Sequence, residues 1–200
     1  KRYNRKEKIM SHKKKAVGYA LTLILSGALL FTSCSGDQNA ASPDGKVTAE
    51  PDGKEYTFQY PDSWQVLRSD SKIAIASPDC VKANITVAGY TLPDTYTTLS
   101  DYVHDETTGY IHYLKENFGD RIEVSEETSP EYTIADHDSV CLIYHIKIGE
   151  DDYHFATVLT VLPTMGSPYL YEITYTAADE AVYDEHIGVF RDALQSFTFR

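Results

Sequence analysis

Polar and apolar residues alternate without a break from position 55 to 60. Tyr56, Phe58 and Tyr60 fall on one side, and Glu55, Thr57 and Gln59 on the other. A period of two is that of a strand buried on one face, and Pro61-Asp62-Ser63 supplies the turn that ends it. Residues 64–67, 73–76 and 84–90 predict three more short strands, separated by Ser69-Asp70-Ser71 and Ser77-Pro78-Asp79. Breaks that short join antiparallel neighbours. The period then becomes helical. Val103, Tyr110, Ile111, Leu114 and Phe118 recur on one stripe, Ser100 suits the N-cap, Asp101 the first turn and Gly119 the left-handed stop. A single helix over this stretch contains Gly109 at a cost of up to ~1 kcal/mol relative to alanine, which close approach to a strand would explain.

The second half repeats the order. Residues 122–124, 139–148, 153–162 and 169–176 predict strands, the middle two forming a hairpin around Gly149-Glu150-Asp151-Asp152. Both hairpin strands carry apolar residues on both faces, so both faces are covered. Thr176-Ala177-Ala178-Asp179 has the spacing of a capping box, with Asp in place of the preferred Glu, and opens a helix whose stripe is Tyr183, Ile187, Phe190 and Leu194. Phe197 and Phe199 alternate as a closing strand or packed tail. Strands, helix, strands, helix, with no internal repeat, predict an α+β fold in which an antiparallel sheet is covered by helices, an α/β/α sandwich.

Charge divides the chain differently. Of its 18 Lys and Arg residues and 30 Asp and Glu, eight bases and only Glu7 fall in residues 1–33, leaving ten bases against 29 acids in residues 34–200. So acidic a body repels phosphate backbones, and nucleic acid is not among its expected partners. The basic run Met10-Ser11-His12-Lys13-Lys14-Lys15 leads into sixteen uncharged residues, 16–31. A helix crossing a ~30 Å hydrocarbon core needs about 20 apolar residues, so the order and length fit a secretory signal first and a permanent single span second. Met10 fits an initiator, with residues 1–9 an upstream extension.

At the end of that stretch, Leu29-Leu30-Phe31-Thr32-Ser33-Cys34 resembles the lipobox of bacterial lipoproteins. The resemblance implies a diacylglyceryl thioether on Cys34, cleavage before it, and a protein held on the outer face of a bacterial membrane. Phe31 departs from the Leu commonest at its place. Two acyl chains, at ~0.8 kcal/mol per buried CH₂, hold a protein where one chain is marginal. Residues 35–54 carry several Gly and Pro and almost no large apolar side chain, so they read as a tether. The expected divisions are a signal with its extension in 1–33, lipidated Cys34 and tether in 34–54, and one domain in 55–200.

Over 55–200 the aromatic opening Tyr56-Thr57-Phe58-Gln59-Tyr60-Pro61-Asp62-Ser63-Trp64, the mid-chain helix, the long hairpin and the closing Leu194-Gln195-Ser196-Phe197-Thr198-Phe199 resemble the PsbP-like, or Mog1/PsbP-like, domains of many bacterial lipoproteins. The resemblance implies a non-enzymatic binding or accessory scaffold for a protein or small-molecule partner, and no particular reaction. It implies no cofactor.

Candidate chemistry is sparse. Cys80 and Cys141 remain once Cys34 is acylated; a bridge between them would close a loop of about sixty residues, worth ~4 kcal/mol, and the alternative is that Cys141 packs as a small hydrophobe in its strand. Asp101, Asp105 and His112 lie near one side of the first predicted helix and are the candidate metal ligands, although zinc wants three or four converging donors. Asp136-His137-Asp138 and Glu150-Asp151-Asp152 are acidic turns without calcium-loop spacing. His145 and His154 fall in the hairpin strands as prospective cross-strand neighbours, and the expectation for both is a structural histidine satisfied within the fold. Ser139 follows Asp136 and His137 without a Gly-x-Ser-x-Gly elbow, which leaves a hydrolase as the remotest reading. Among sixteen tyrosines, Tyr90 and Tyr96, with Trp64, are the candidates for an aromatic ligand groove.

Overall fold

A computed structural model describes residues 45–49, 56–69, 72–78, 83–134, 136–162 and 168–199. Strand β1 (Lys46–Ala49) pairs with β2 (Tyr56–Pro61), and β10 (Thr198–Phe199) pairs with β2 from the other side, giving a small antiparallel sheet. The larger sheet comprises β3 (Gln65–Ser69), β4 (Lys72–Ala76), β5 (Ala83–Thr91), β6 (Ile122–Glu127), β7 (Ser139–Ile148), β8 (Asp151–Leu162) and β9 (Tyr169–Ala177). Their spatial order is β3-β4-β5-β9-β8-β7-β6, antiparallel throughout. Helices α1 (Leu99–His104) and α2 (Tyr110–Phe118) cover one face; α3 (Glu180–Gln195) and the small sheet cover the other. The result is the expected α+β sandwich, with a sheet sharing one of its outer layers.

Two cores follow from strand alternation. Ile85, Val87, Cys141, Val158, Ile173 and Tyr175 point to α3, whereas Leu142, Tyr144, Phe155, Leu159 and Leu170 point to α1 and α2. On the α3 side the aromatic stripe of β2 stacks on the chain's end: Phe197 lies 5.1 Å from Tyr56 and 5.6 Å from Phe58, and Phe199 5.0 Å from Tyr171. Each such ring pair adds ~0.5–1.5 kcal/mol beyond area burial.

The other core contains a carboxylate. Glu172, in the middle of β9, is 1% exposed, and its Oε2 and Oε1 accept from the Tyr90 hydroxyl at 3.0 Å and the Tyr110 hydroxyl at 3.1 Å. Beside it the hydroxyls of Tyr144, Thr157 and Thr174 form a buried chain of 2.9 and 3.1 Å contacts. Tyrosine is used here for a ring that fills the core and a hydroxyl that satisfies its polar groups.

Four expectations are corrected. The folded unit begins earlier than residue 55, because β1 takes Lys46–Ala49 from the expected tether; Ala49 is buried, Val47 packs on the core, and Lys46 Nζ reaches Asp192 at 3.2 Å. The mid-chain helix is two helices. Thr98, not Ser100, caps α1 by accepting from the Asp101 N–H, and Gly109 caps α2. The close approach at Gly109 is to the preceding helical turn: a Cβ there would lie 2.5 Å from the Asp105 carbonyl oxygen and 2.7 Å from that of Tyr102. The hairpin loop is only Gly149-Glu150, with positive φ at its first position alone, the II′ pattern. Finally α3 is capped by Asp179, whose Oδ1 accepts from the Val182 N–H, while Thr176 stays buried in β9.

Two glycines make opposite predictions. Gly109→Ala forces backbone apart and should destabilise by ~1–3 kcal/mol. Gly188→Ala, on the exposed side of α3 with nothing within 4 Å of the new methyl, should stabilise by ~0.5–1 kcal/mol. Urea midpoints of the two variants shifting in the same direction would contradict this packing. Glu172→Ala removes the acceptor of two tyrosine hydroxyls and should cost ~1–3 kcal/mol, whereas Glu172→Gln, which keeps an acceptor, should cost distinctly less in the same titration.

Candidate functional site

The two-residue turn fixes the register of β7 against β8. Ile148 faces Asp151, and counting back along both strands puts His145 opposite His154. On β6, Glu123 faces His145, so Glu123, His145 and His154 form a row across three strands. Asp152 lies two residues before His154, on the same face and diagonal to His145. Alternation with Cys141 and Val158 directs that face to the α3 side.

Helix α3 packs over β5, β8 and β9, and its first turns end at Tyr183, whose ring lies 5.9 Å from that of His154. Beyond that edge the floor of β6 and β7 is open. An open cavity of about 260 Å³ is lined there by Glu123, Ser125, Ile143, His145, His154 and Tyr183, among others. The imidazoles stand 5.6 Å apart at 61°, and one donor atom from each of His145, Asp152 and His154 lies within 4.8 Å of the others. All three side chains are half-buried, and Asp152 Oδ1 is out of contact with water and without a hydrogen-bond partner. Tyr183 closes one wall; its phenol is held well above its ordinary pKa by burial and then by Tyr132, so it stays neutral.

The residues singled out from the sequence are distributed otherwise. Asp105 and His112 border a second open depression, of about 290 Å³, but Asp101 does not. Asp105 Oδ1 already accepts from the N–H and hydroxyl of Thr107 and from those of Thr108, which together hold its carboxyl down at about 2, and Asp101 accepts from Thr97. These carboxylates are engaged in shaping the α1–α2 corner. Trp64 is buried in the α3-side core, edge-on to His186, whereas Tyr90 and Tyr96 pack on the α1–α2 side. The three therefore share no groove. Ser139 donates to the His137 carbonyl or to Thr160, and the His137 ring packs on Phe199. Cys141 is a free, buried thiol pushed up to about 12 by burial first and Glu127 and Glu126 second. Cys80, Cys34 and the signal segment lie outside the described residues.

What sequence reading missed is Asp152, which was expected in a loop. Once Gly149 is recognised as the first position of a two-residue turn, Asp152-x-His154 becomes a same-face strand pair, and His145 follows by register.

No family model and no curated protein matches this sequence. Solved structures do match its fold. One is LpqN of Mycobacterium tuberculosis, involved in cell envelope biogenesis, at 14% identity and a TM-score of 0.51, covering 76% of this chain and 89% of that one. Another is the Ran-binding protein Mog1p of Saccharomyces cerevisiae, at 10% identity and 0.52, covering 77% and 95%. A Bacteroides thetaiotaomicron protein matches at 15% identity and 0.42 over 73% of this chain, which spans 45% of that protein. The chain thus shares the Mog1/PsbP-like fold. Among the described residues no helix is long and apolar enough to cross a membrane.

On the opposite face, His104 Nε2 meets Glu126 Oε2 at 2.8 Å, tying α1 to β6, and this hydrogen bond raises the His104 pKa. The folded pKa exceeds the unfolded one, so the pair's stabilisation is complete below about pH 6.5 and is lost as pH rises through the raised value. With the side chains 45% and 40% exposed, it amounts to ~0.2–1 kcal/mol. His104→Gln should lower the urea midpoint at about pH 5.5 and leave it nearly unchanged at about pH 9; an equal loss at both would contradict the assignment.

Proposed function

We propose that this chain is an exported, non-enzymatic binding or accessory protein, moored through lipid on Cys34 to the outer face of a bacterial membrane, where its domain engages a protein or small-molecule partner. The observation that carries the binding reading is the open cavity at the uncovered end of β6–β8. Its floor is a paired sheet held by a two-residue turn, and among the described residues its two imidazoles are not hydrogen-bonded to the protein. The thiol and the hydroxyl that the sequence singled out support the same reading. The Cys141 thiol is buried and held protonated, and the Ser139 hydroxyl is not paired with a base. LpqN, with the same fold, is involved in cell envelope biogenesis, and an accessory role at the envelope fits the lipobox-like junction here.

Lys46, the first residue of β1, is twelve positions after Cys34. Even fully extended, that many residues span at most about 40 Å. Anchoring would therefore hold the first strand within about 40 Å of the lipid and raise the domain's effective concentration toward partners on the same surface. Cys34→Ala should abolish acylation, leaving the precursor uncut or releasing the mature domain from the membrane fraction. Normal processing with unchanged membrane retention, read by fractionation and mass spectrometry, would overturn the anchor.

A further inference from the structure

We propose that His145, Asp152 and His154 form a mononuclear site for a divalent first-row transition metal ion, Zn²⁺ foremost, on the α3-side face of the β7–β8 hairpin. The proposal stands on geometry around the hairpin and holds whether or not the chain is lipid-anchored.

Three donors already converge. In a tetrahedral zinc site with bonds of 2.0–2.2 Å, ligand atoms lie about 3.4 Å apart. The donor atoms here are within 4.8 Å of one another, so closing on an ion takes side-chain movements of roughly 1 Å and no change of backbone. The backbone is the rigid part: His145 and His154 are directly opposed across paired strands, and the Gly149-Glu150 turn lies just beyond Asp152.

The second observation is an unmet need. Asp152 Oδ1 is shut off from water with no hydrogen-bond donor, and such a group costs ~1–3 kcal/mol in a native structure. Among the described residues, neither the His145 nor the His154 ring is hydrogen-bonded to a protein group; their neighbours are each other and the Tyr183 ring. Two imidazoles and a carboxylate oxygen, mutually close and otherwise idle, are the donors a borderline cation takes.

Donor type sets the class of ion. Calcium and magnesium seek six or more oxygens, whereas two imidazoles with one carboxylate select zinc and its neighbours in the first transition row. The charges around the site suit a cation. Glu123, opposite His145, lines the same cavity, while Lys147, exposed and opposite Asp152, is a positive group beside it. A fourth coordination position would face the cavity, where water or a donor from a partner completes the shell.

Zn²⁺ titrated calorimetrically into the full chain should bind with one equivalent that His145→Gln, Asp152→Asn and His154→Gln each weaken by more than ~10-fold, while His104→Gln and His112→Gln leave it unchanged. Added Co²⁺ should develop a visible spectrum of low coordination number in the unsubstituted chain and not in Asp152→Asn. A readout that needs no variant to fold is the set of histidine ring resonances of the unsubstituted chain, in which two of the folded domain's imidazoles should shift together on the first equivalent. Absence of binding, stoichiometric binding that survives all three substitutions, or ring shifts confined to other histidines would each overturn the site.

Discussion

Burial of the central strands on both faces is the constraint from which the rest of this structure follows. Residues 170–177 of β9 are buried without exception, and β8 is buried over 155–160. A sheet closed to water above and below needs a covering layer on each side, and every polar side chain within it needs a protein partner. Tyrosine serves both, and among the described polar groups of β9 only the Thr176 hydroxyl is left without a partner. Tyrosines fill the space under α1 and α2 while their hydroxyls reach Glu172, Thr157 and, through Thr157, Thr174. The abundance of tyrosine is thus a consequence of a core that is large, β-rich and internally polar.

The two covering layers are built by different means, and the difference positions the candidate site. Under α1 and α2 the sheet is covered as far as β6, where Glu126 turns to meet His104. On the other side α3 lies over the middle of the sheet and the aromatic small sheet beside it, so cover runs out toward β6 and β7. Where it runs out, the alternation that gives Cys141 and Val158 to the core gives His145 and His154 to the cavity. β6 is the edge strand of this sheet among the described residues and carries Glu123, Glu126 and Glu127, charges that oppose edge-to-edge pairing with another sheet. The site occupies the border between a dry core and a charged edge, where side chains are held by the sheet and remain open to a ligand.

How much of this was legible follows from the range of each interaction. The aromatic alternation of β2, the apolar runs of β7–β9 and the stripe of α3 are periodic over many residues, and each was read close to its true bounds. Lys46–Ala49 has only two apolar residues, and its strand exists because β2 supplies a partner, which no local pattern records. The break between α1 and α2 depends on Asp105 accepting from both Thr107 and Thr108, a side-chain competition with helix that apolar spacing does not register. Thr176 matched a capping box but had already been claimed by the buried strand β9, so the helix waited for Asp179. The site turned on one such detail, a hairpin loop of two residues instead of four.

Composition gave little purchase on the site for a related reason. The body of the chain has 29 acids, and a carboxylate near a histidine is expected many times by chance. Asp105 and His112 had the helical positions to attract notice, yet Asp105 spends its inner oxygen on the donors of a turn and its ionised state is stabilised by them. Asp152 differs in the property that matters to a cation, a buried oxygen that the protein leaves unpartnered. Sequence lists the donors, but only register and burial decide which of them remain idle. Binding capacity lies with that remainder, because a group already satisfied by its own fold must give up a partner before it can accept another.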